Sequence, residues 1–169
     1  MFTLLKEETD QLLYRYSSLL VNIHWDELRL EQLASIATAC EYVVAREGRL
    51  TSIIVMRGNV NIDLSAEARR AGASLTTRFE QYNTGQALVI ESDGFRASLA
   101  RSVITGIHLV ARSRASQRVF QDPREATKWL CSLPKQPPEI ASGFESIWPA
   151  FEKLLKERRR TAQSSTVAP

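Results

Sequence analysis

The side chains that most often carry metal or nucleophilic chemistry are scarce in this sequence. Its 169 residues include two cysteines, Cys40 and Cys131, and two histidines, His24 and His108. Zinc sites and activated thiols need several such side chains at defined spacings or close together in the fold. Neither histidine has a cysteine or a carboxylate at metal-ligand spacing. We therefore expect no metal and no cofactor, and we expect both cysteines to be small buried residues of helices.

A candidate anion site lies at the corner formed by Asp93, Gly94 and Arg96. This corner follows a predicted strand and opens a predicted helix. Backbone amides at a helix start bind anions, and a nearby guanidinium would assist them. The spacing is neither that of a dinucleotide-binding loop nor that of a P-loop. Two interpretations stand: a ligand-binding corner, or an ordinary turn with a helix cap.

Arginines cluster in the connector after that helix. Arg112 and Arg114 lie in a polar stretch that precedes a short predicted strand, Arg118–Phe120. Such a patch can contact phosphate groups or an acidic protein partner. Few aromatic residues are interleaved with it, which disfavours single-stranded nucleic acid. The alternative interpretation is a solvated surface.

The last predicted helix is the strongest candidate for an interaction surface. Phe144, Trp148 and Phe151 lie three and four residues apart, so they share one helical face with a large apolar area. This face either packs on the chain's own sheet or covers a partner protein. In the second case, these three residues would form the partner interface together with Arg112 and Arg114.

Composition indicates an ordinary soluble globular protein. Hydrophobic residues make up 44% and charged residues 24% of the chain. A net charge of +3 is too small to indicate nucleic-acid binding by itself. The first ten residues lack the basic flank of a secretory signal, and no apolar run approaches the ~18 residues of a membrane helix. We expect a cytoplasmic protein without a membrane span.

Strands and helices alternate along the sequence. Strand patterns are predicted within residues 1–25 (one or two antiparallel strands), and at 51–57, 86–91 and 118–120. Helical stripes are predicted over 30–44, 64–82 and 95–111, and after the Asp122-Pro123 helix start. Alternation of this kind predicts an α/β fold with a largely parallel sheet.

The predicted fold class is therefore α/β, with a mixed sheet of four to five strands, about four helices and an appended C-terminal helix. Four segments are expected. Residues 1–133 form the α/β domain, 134–141 a proline-rich linker, 142–160 the amphipathic helix, and 161–169 a disordered tail.

This order of elements resembles the STAS-like superfamily, which includes anti-sigma-factor antagonists, and in particular small bacterial members of unassigned role. The residues that carry the resemblance are Trp25 after the second strand, the helix start Gly94-Phe95-Arg96, and the closing segment from Arg118 to Leu130. It spans about residues 10–132. The resemblance implies a STAS-like fold and a regulatory role.

The resemblance also implies a candidate phosphorylation site. In STAS-like members that signal by phosphorylation, the acceptor Ser or Thr lies at the start of the helix after the third strand, followed by a glycine. Ser65 matches this place in residue type, but no glycine follows, and Glu67 would repel an added phosphate. The alternative interpretation is that Ser65 is an ordinary N-cap.

Two hypotheses about function follow. The first is a non-enzymatic regulatory or scaffolding module that acts through contacts with an unidentified protein partner, with a homodimer as one form. The second is a small-ligand-binding protein or an enzyme, with its site at the carboxyl ends of the strands, where open α/β sheets place their ligands. The sequence favours the first, because no catalytic constellation is recognisable.

Overall fold

Within the described residues, a six-stranded mixed sheet forms the centre of the molecule. This computed structural model describes residues 1–25, 27–58, 61–62, 65–91 and 116–165, without the side chains of residues 27–28, 61–62 and 157–165. The sheet consists of β1 (Thr3–Glu7), β2 (Gln11–Tyr16), β3 (Leu19–His24), β5 (Leu50–Met56), β7 (Asn83–Ile90) and β8 (Gln117–Phe120). Two short strands, β4 (Glu27–Leu28) and β6 (Asn61–Ile62), pair with each other.

Strand directions divide this sheet into two parts. The order is β1-β2-β3-β5-β7-β8. The first three strands form an antiparallel meander, and β3, β5, β7 and β8 are all parallel. The predicted mixed α/β class is confirmed. The sheet has one strand more than the upper prediction, because residues 1–25 supply three strands where one or two were expected.

Five helices are described: α1 (Leu30–Glu47), α2 (Ala66–Phe79), α3 (Pro123–Ser132), α4 (Pro138–Ala141) and α5 (Phe144–Ser165). The helix predicted over 95–111 lies outside the described residues. The sequence predicted α3 well: the Asp122 carboxylate accepts from the Arg124 N–H at 2.7 Å, and Pro123 occupies the first turn.

The two faces of the sheet are covered by different helices, because side chains alternate along each strand. In β3, Val21 and Ile23 face α3, α4 and α5, in a core with Leu130 and Phe151. We call this side the C-terminal face. Leu20 faces the opposite way and packs with α1; we call that side the N-terminal face.

The C-terminal face is tightly covered. Ile140, Ile147 and Phe151 are each 0% exposed and belong to one core with the strands. The Phe151 ring lies 6.1 Å from the rings of both Phe2 and Trp148. The aromatic face of α5 therefore packs on the chain's own sheet, which is one of the two arrangements that the sequence left open.

Residues 134–141 differ from the predicted linker. The segment forms a turn followed by α4, and Ile140 lies in the core. Gln136 Oε1 accepts from the Thr51 hydroxyl at 2.7 Å, which attaches the turn to the sheet. At Gly143, an added Cβ would lie 2.1 Å from the Glu139 carbonyl oxygen, so only glycine permits the close approach between α4 and α5. Apolar burial and this contact give the proline-rich segment a fixed conformation.

Helix α5 also differs from its predicted bounds. The predicted helix covers 142–160, whereas α5 spans Phe144–Ser165, with Pro149 inside it. The backbone at 161–165, predicted as part of a disordered tail, is helical. On the sheet side, Arg57 forms an ion pair with Glu91 at 2.7 Å and donates to the Leu155 carbonyl. This arginine joins the carboxyl ends of β5 and β7 to α5.

Candidate functional site

A cavity of about 140 Å³ lies between the N-terminal face of the sheet and helices α1 and α2. Leu20, Ile54 and Leu88 contribute apolar side chains from three neighbouring strands. Leu33 and Ile36 from α1 and Leu75 and Phe79 from α2 contribute to the opposite wall. The described lining is therefore mainly apolar and comes from strands and helices, and the space is partly open to solvent.

The cavity exists because α2 packs less closely than α1. Five residues of α1 are buried, whereas Phe79 is the only buried residue of α2. The cavity-facing positions of α2 include Gly72, which has no side chain, and the short Thr76. Small residues at these positions leave the space between α2 and the sheet unfilled. Native interiors normally contain few voids of this size.

Two polar side chains lie side by side on the floor of the cavity. Ser52 of β5 pairs in register with Gln86 of β7, and both line the cavity and are half-buried. Gln86 Oε1 accepts from Gln117 Nε2 at 3.3 Å. Within the described residues, neither the Ser52 hydroxyl nor the Gln86 side-chain nitrogen has a hydrogen-bond partner.

A second polar group lies deeper, towards the carboxyl end of β3. Asn22 and His24 line the cavity and are 2% and 0% exposed. Gln11 Nε2 donates to Asn22 Oδ1 at 3.1 Å and lies 3.5 Å from His24 Nε2. In the described part of the chain, Gln11 Oε1, Asn22 Nδ2 and His24 Nδ1 have no partner. Buried polar atoms are normally satisfied, so these atoms mark the carboxyl end of β3 as the most polar part of the described lining.

The described lining of the cavity carries no charge at neutral pH. It includes no lysine, arginine, aspartate or glutamate. Burial lowers the pKa of His24 to about 4, against the opposing effect of the Glu8 carboxylate, so the imidazole is neutral. Burial also raises the pKa of the Cys40 thiol to about 12, reinforced by Glu41 and opposed by Arg78. The thiol is therefore protonated and is a poor nucleophile.

Two searches of the described residues gave negative results. No group of three or more histidines, cysteines, aspartates or glutamates is arranged to hold a metal ion. No described helix is long and apolar enough to cross a membrane.

Five residues singled out in the sequence cannot be placed relative to this cavity. Asp93, Gly94, Arg96, Arg112 and Arg114 are outside the described residues. The anion corner and the arginine patch therefore remain predictions from the sequence.

Four of the predicted residues are described: Ser65 and the aromatic residues Phe144, Trp148 and Phe151. Ser65 is exposed and caps α2, where its hydroxyl accepts from the Ala68 N–H at 3.1 Å. Phe151 is fully buried, and Phe144 and Trp148 are partly buried against the same core. These aromatic residues are not a free partner surface in this structure, because the chain's own sheet covers them.

Sequence reasoning missed the cavity residues Ser52, Gln86 and Asn22, and it assigned His24 a structural or surface role. One signal was present. The strand Leu19–His24 is otherwise apolar, and Asn22 and His24 alternate in it, so they must share one face of the sheet. Two polar side chains on one face of a buried strand indicate either a buried network or a polar site. No comparable pattern in the sequence indicates the cavity itself, because the cavity depends on how α2 packs on the sheet.

Comparisons with known proteins add information about the fold. No protein-family model and no curated protein matches the sequence. The structure is similar to an uncharacterized protein of the DUF3478 family, with a SpoIIAA-like fold, from Shewanella loihica PV-4. The two are 18% identical over 78% of this chain and 93% of that chain, with a TM-score of 0.48.

Proposed function

We propose that this chain is a small-ligand-binding module whose site is the cavity between the sheet and helices α1 and α2. The observation that carries the proposal is the cavity itself: about 140 Å³, mainly apolar described walls, and the buried Asn22 Nδ2 and His24 Nδ1, which have no partner among the described residues. Binding sites typically combine an apolar lining with a few polar groups that fix orientation. This proposal develops the ligand-binding hypothesis of the sequence, with the site beneath the helices rather than outside the strand ends.

A regulatory role is proposed for the same site. Helix α2 has one buried residue, so a ligand that fills the cavity would add contacts between α2 and the sheet and hold the helix more firmly. A protein partner that contacts the outer side of α2 would then distinguish the bound state from the free state. Ligand binding would thus control the protein contact that the sequence resemblance implies.

The test is a matched pair of substitutions in α2. Thr76 lines the cavity, whereas the adjacent Thr77 is exposed. Each hydroxyl donates to the carbonyl four residues earlier at 3.0 Å, so replacing either threonine removes the same kind of hydrogen bond within α2. Thr76→Phe places a ring in the cavity, and Thr77→Phe places a ring in solvent.

Phenol and toluene are suitable probes, because an apolar cavity of ~150 Å³ holds benzene. In the wild type, we expect the methyl NMR signals of Ile54, Met56 and Leu88 to shift when a probe is added. Thr77→Phe should retain these shifts, and Thr76→Phe should lose them. The proposal is wrong if neither probe shifts lining methyl signals in the wild type, or if Thr76→Phe binds both probes as the wild type does.

A further inference from the structure

We infer that the ligand is an uncharged molecule with a single ring and one hydroxyl group, and that Ser52 and Gln86 bind this hydroxyl. The inference rests on the proposed function, because it names the class of molecule that the cavity accepts. Three properties of the described residues support it: the volume of the cavity, the absence of charge in its lining, and the position of its free polar atoms.

Volume limits the ligand to about one ring. The cavity measures about 140 Å³, close to the ~150 Å³ of a dry apolar cavity that binds benzene. Sites for drug-sized molecules are larger, at ~300–1,000 Å³. A fused-ring cofactor or a nucleotide would extend beyond this volume.

The described lining offers no ion-pair partner to a charged ligand. None of its described residues carries a charge to pair with a carboxylate, an amine or a phosphate. A charge moved from water into an apolar space without a partner is strongly disfavoured. His24 does not supply a positive charge either, because burial keeps its imidazole neutral at physiological pH.

The free polar atoms select a hydroxyl group. Ser52 and Gln86 are register partners on parallel strands, and neighbouring strands lie about 4.8 Å apart. A hydroxyl both donates and accepts, so one oxygen between them can donate to Ser52 Oγ and accept from Gln86 Nε2. Asn22 and His24 are more deeply buried than Ser52 and Gln86. An incoming ligand therefore meets Ser52 and Gln86 first.

Three probes of similar size separate these properties: phenol, toluene and benzoate. In a purely apolar cavity toluene would bind more tightly than phenol, because phenol must give up hydrogen bonds to water. If Ser52 and Gln86 replace those bonds, phenol binds at least as tightly as toluene. Benzoate should not bind, because its carboxylate has no cation to meet. Dissociation constants would be measured on the full chain at neutral pH by titration of the lining methyl NMR signals.

The role of the serine hydroxyl is tested by Ser52→Thr and Ser52→Val. The two variants have the same shape, both suit a strand, and they differ only in the hydroxyl. Phenol should bind Ser52→Thr about fivefold more tightly than Ser52→Val, the usual effect of one neutral hydrogen bond. Toluene should bind both variants equally.

Each outcome has a distinct meaning. Equal phenol affinity in the two variants would refute the role of Ser52, and tighter binding of toluene or benzoate than of phenol in the wild type would refute the ligand class. Either result leaves the ligand-binding function standing. If no probe shifts a lining signal, the proposed function fails together with this inference.

Discussion

His24 is an unusual residue for the end of a core strand. It is 0% exposed, and its Nδ1 has no partner among the described residues. Burial lowers its pKa from 6.5 to about 4, and the Glu8 carboxylate opposes part of this shift. An unfolded chain would take up a proton on this imidazole near pH 6.5, whereas the folded chain does so only near pH 4. Acidification therefore favours the unfolded state between these two values.

This difference predicts a pH dependence of stability. Between pH 7 and pH 5, the free energy of unfolding should fall by about 2 kcal/mol through His24 alone, because the unfolded state binds more protons in this range. Below about pH 4, the contribution of His24 no longer changes. Urea denaturation at several pH values would measure the slope.

The variant His24→Gln serves as the comparison, since it keeps a polar side chain and removes the titration. It should show a smaller loss of stability than the wild type over the same range. Parallel pH profiles for the two proteins would contradict the depressed pKa of His24.

At the scale of elements, the two helices over the N-terminal face have different roles. Helix α1 ends at Gly48, whose φ of 65° favours glycine, and buries Ile36, Ala39, Cys40 and Val43 against the sheet. Helix α2 is held mainly at its end, by Phe79. We therefore regard α1 as the fixed wall of the cavity and α2 as the wall that responds to a ligand.

Backbone hydrogen exchange should reveal this difference. Amides of α2 have few buried contacts behind them, so we expect them to exchange about tenfold or more faster than those of α1, through local opening. A saturating amount of phenol should slow exchange in α2 and leave α1 unchanged. Mass spectrometry of peptides from 30–47 and 66–79 would measure both. Equal exchange in the two helices of the free protein would contradict the looser packing of α2.

At the scale of the whole molecule, the two faces of the sheet differ in how completely they are packed. The C-terminal face is filled by large buried side chains, and Arg57 joins the sheet to α5 by donating to the Leu155 carbonyl. The N-terminal face contains the cavity. We therefore expect the C-terminal face to contribute more to the free energy of unfolding than the region around the cavity.

This division predicts the effect of removing α5. A chain that ends at Ala141 lacks the buried Ile147, Phe151 and Leu155, each of which contributes about 2 kcal/mol. The total of about 6 kcal/mol is comparable with the whole stability of a typical domain. We expect the truncated chain to be unfolded or aggregated, as measured by circular dichroism and by size exclusion with light scattering.

A chain that ends at Ser165 retains α5 and is the matched control. It should keep the fold and the oligomeric state of the full protein. If the shorter chain is folded and monomeric while the full chain is a dimer, α5 is an interface between copies, as the sequence allowed. A truncated chain that stays folded, with the same number of copies per particle as the full protein, would show that α5 contributes little to stability.

Much of the fold is determined by local sequence. The alternation of Leu19, Val21 and Ile23 with their neighbours sets the two faces of a strand, and Asp122 with Pro123 sets a helix start. These signals act over a few residues, so they are readable without a structure. The linker prediction failed at residues 134–141 because prolines determine local stiffness, whereas the burial of Ile140 depends on residues far away in the chain.

The sequence by itself determined the α/β class, the parallel strand pattern and the apolar face of the last helix. Only the tertiary structure decided that this face packs on its own sheet, and that Ser52 meets Gln86 beneath a loosely packed α2. The physical reason is that periodicity specifies which side of an element is apolar, whereas register and packing distance specify what that side contacts. A cavity is the space that packing leaves unfilled, and no short stretch of sequence encodes it.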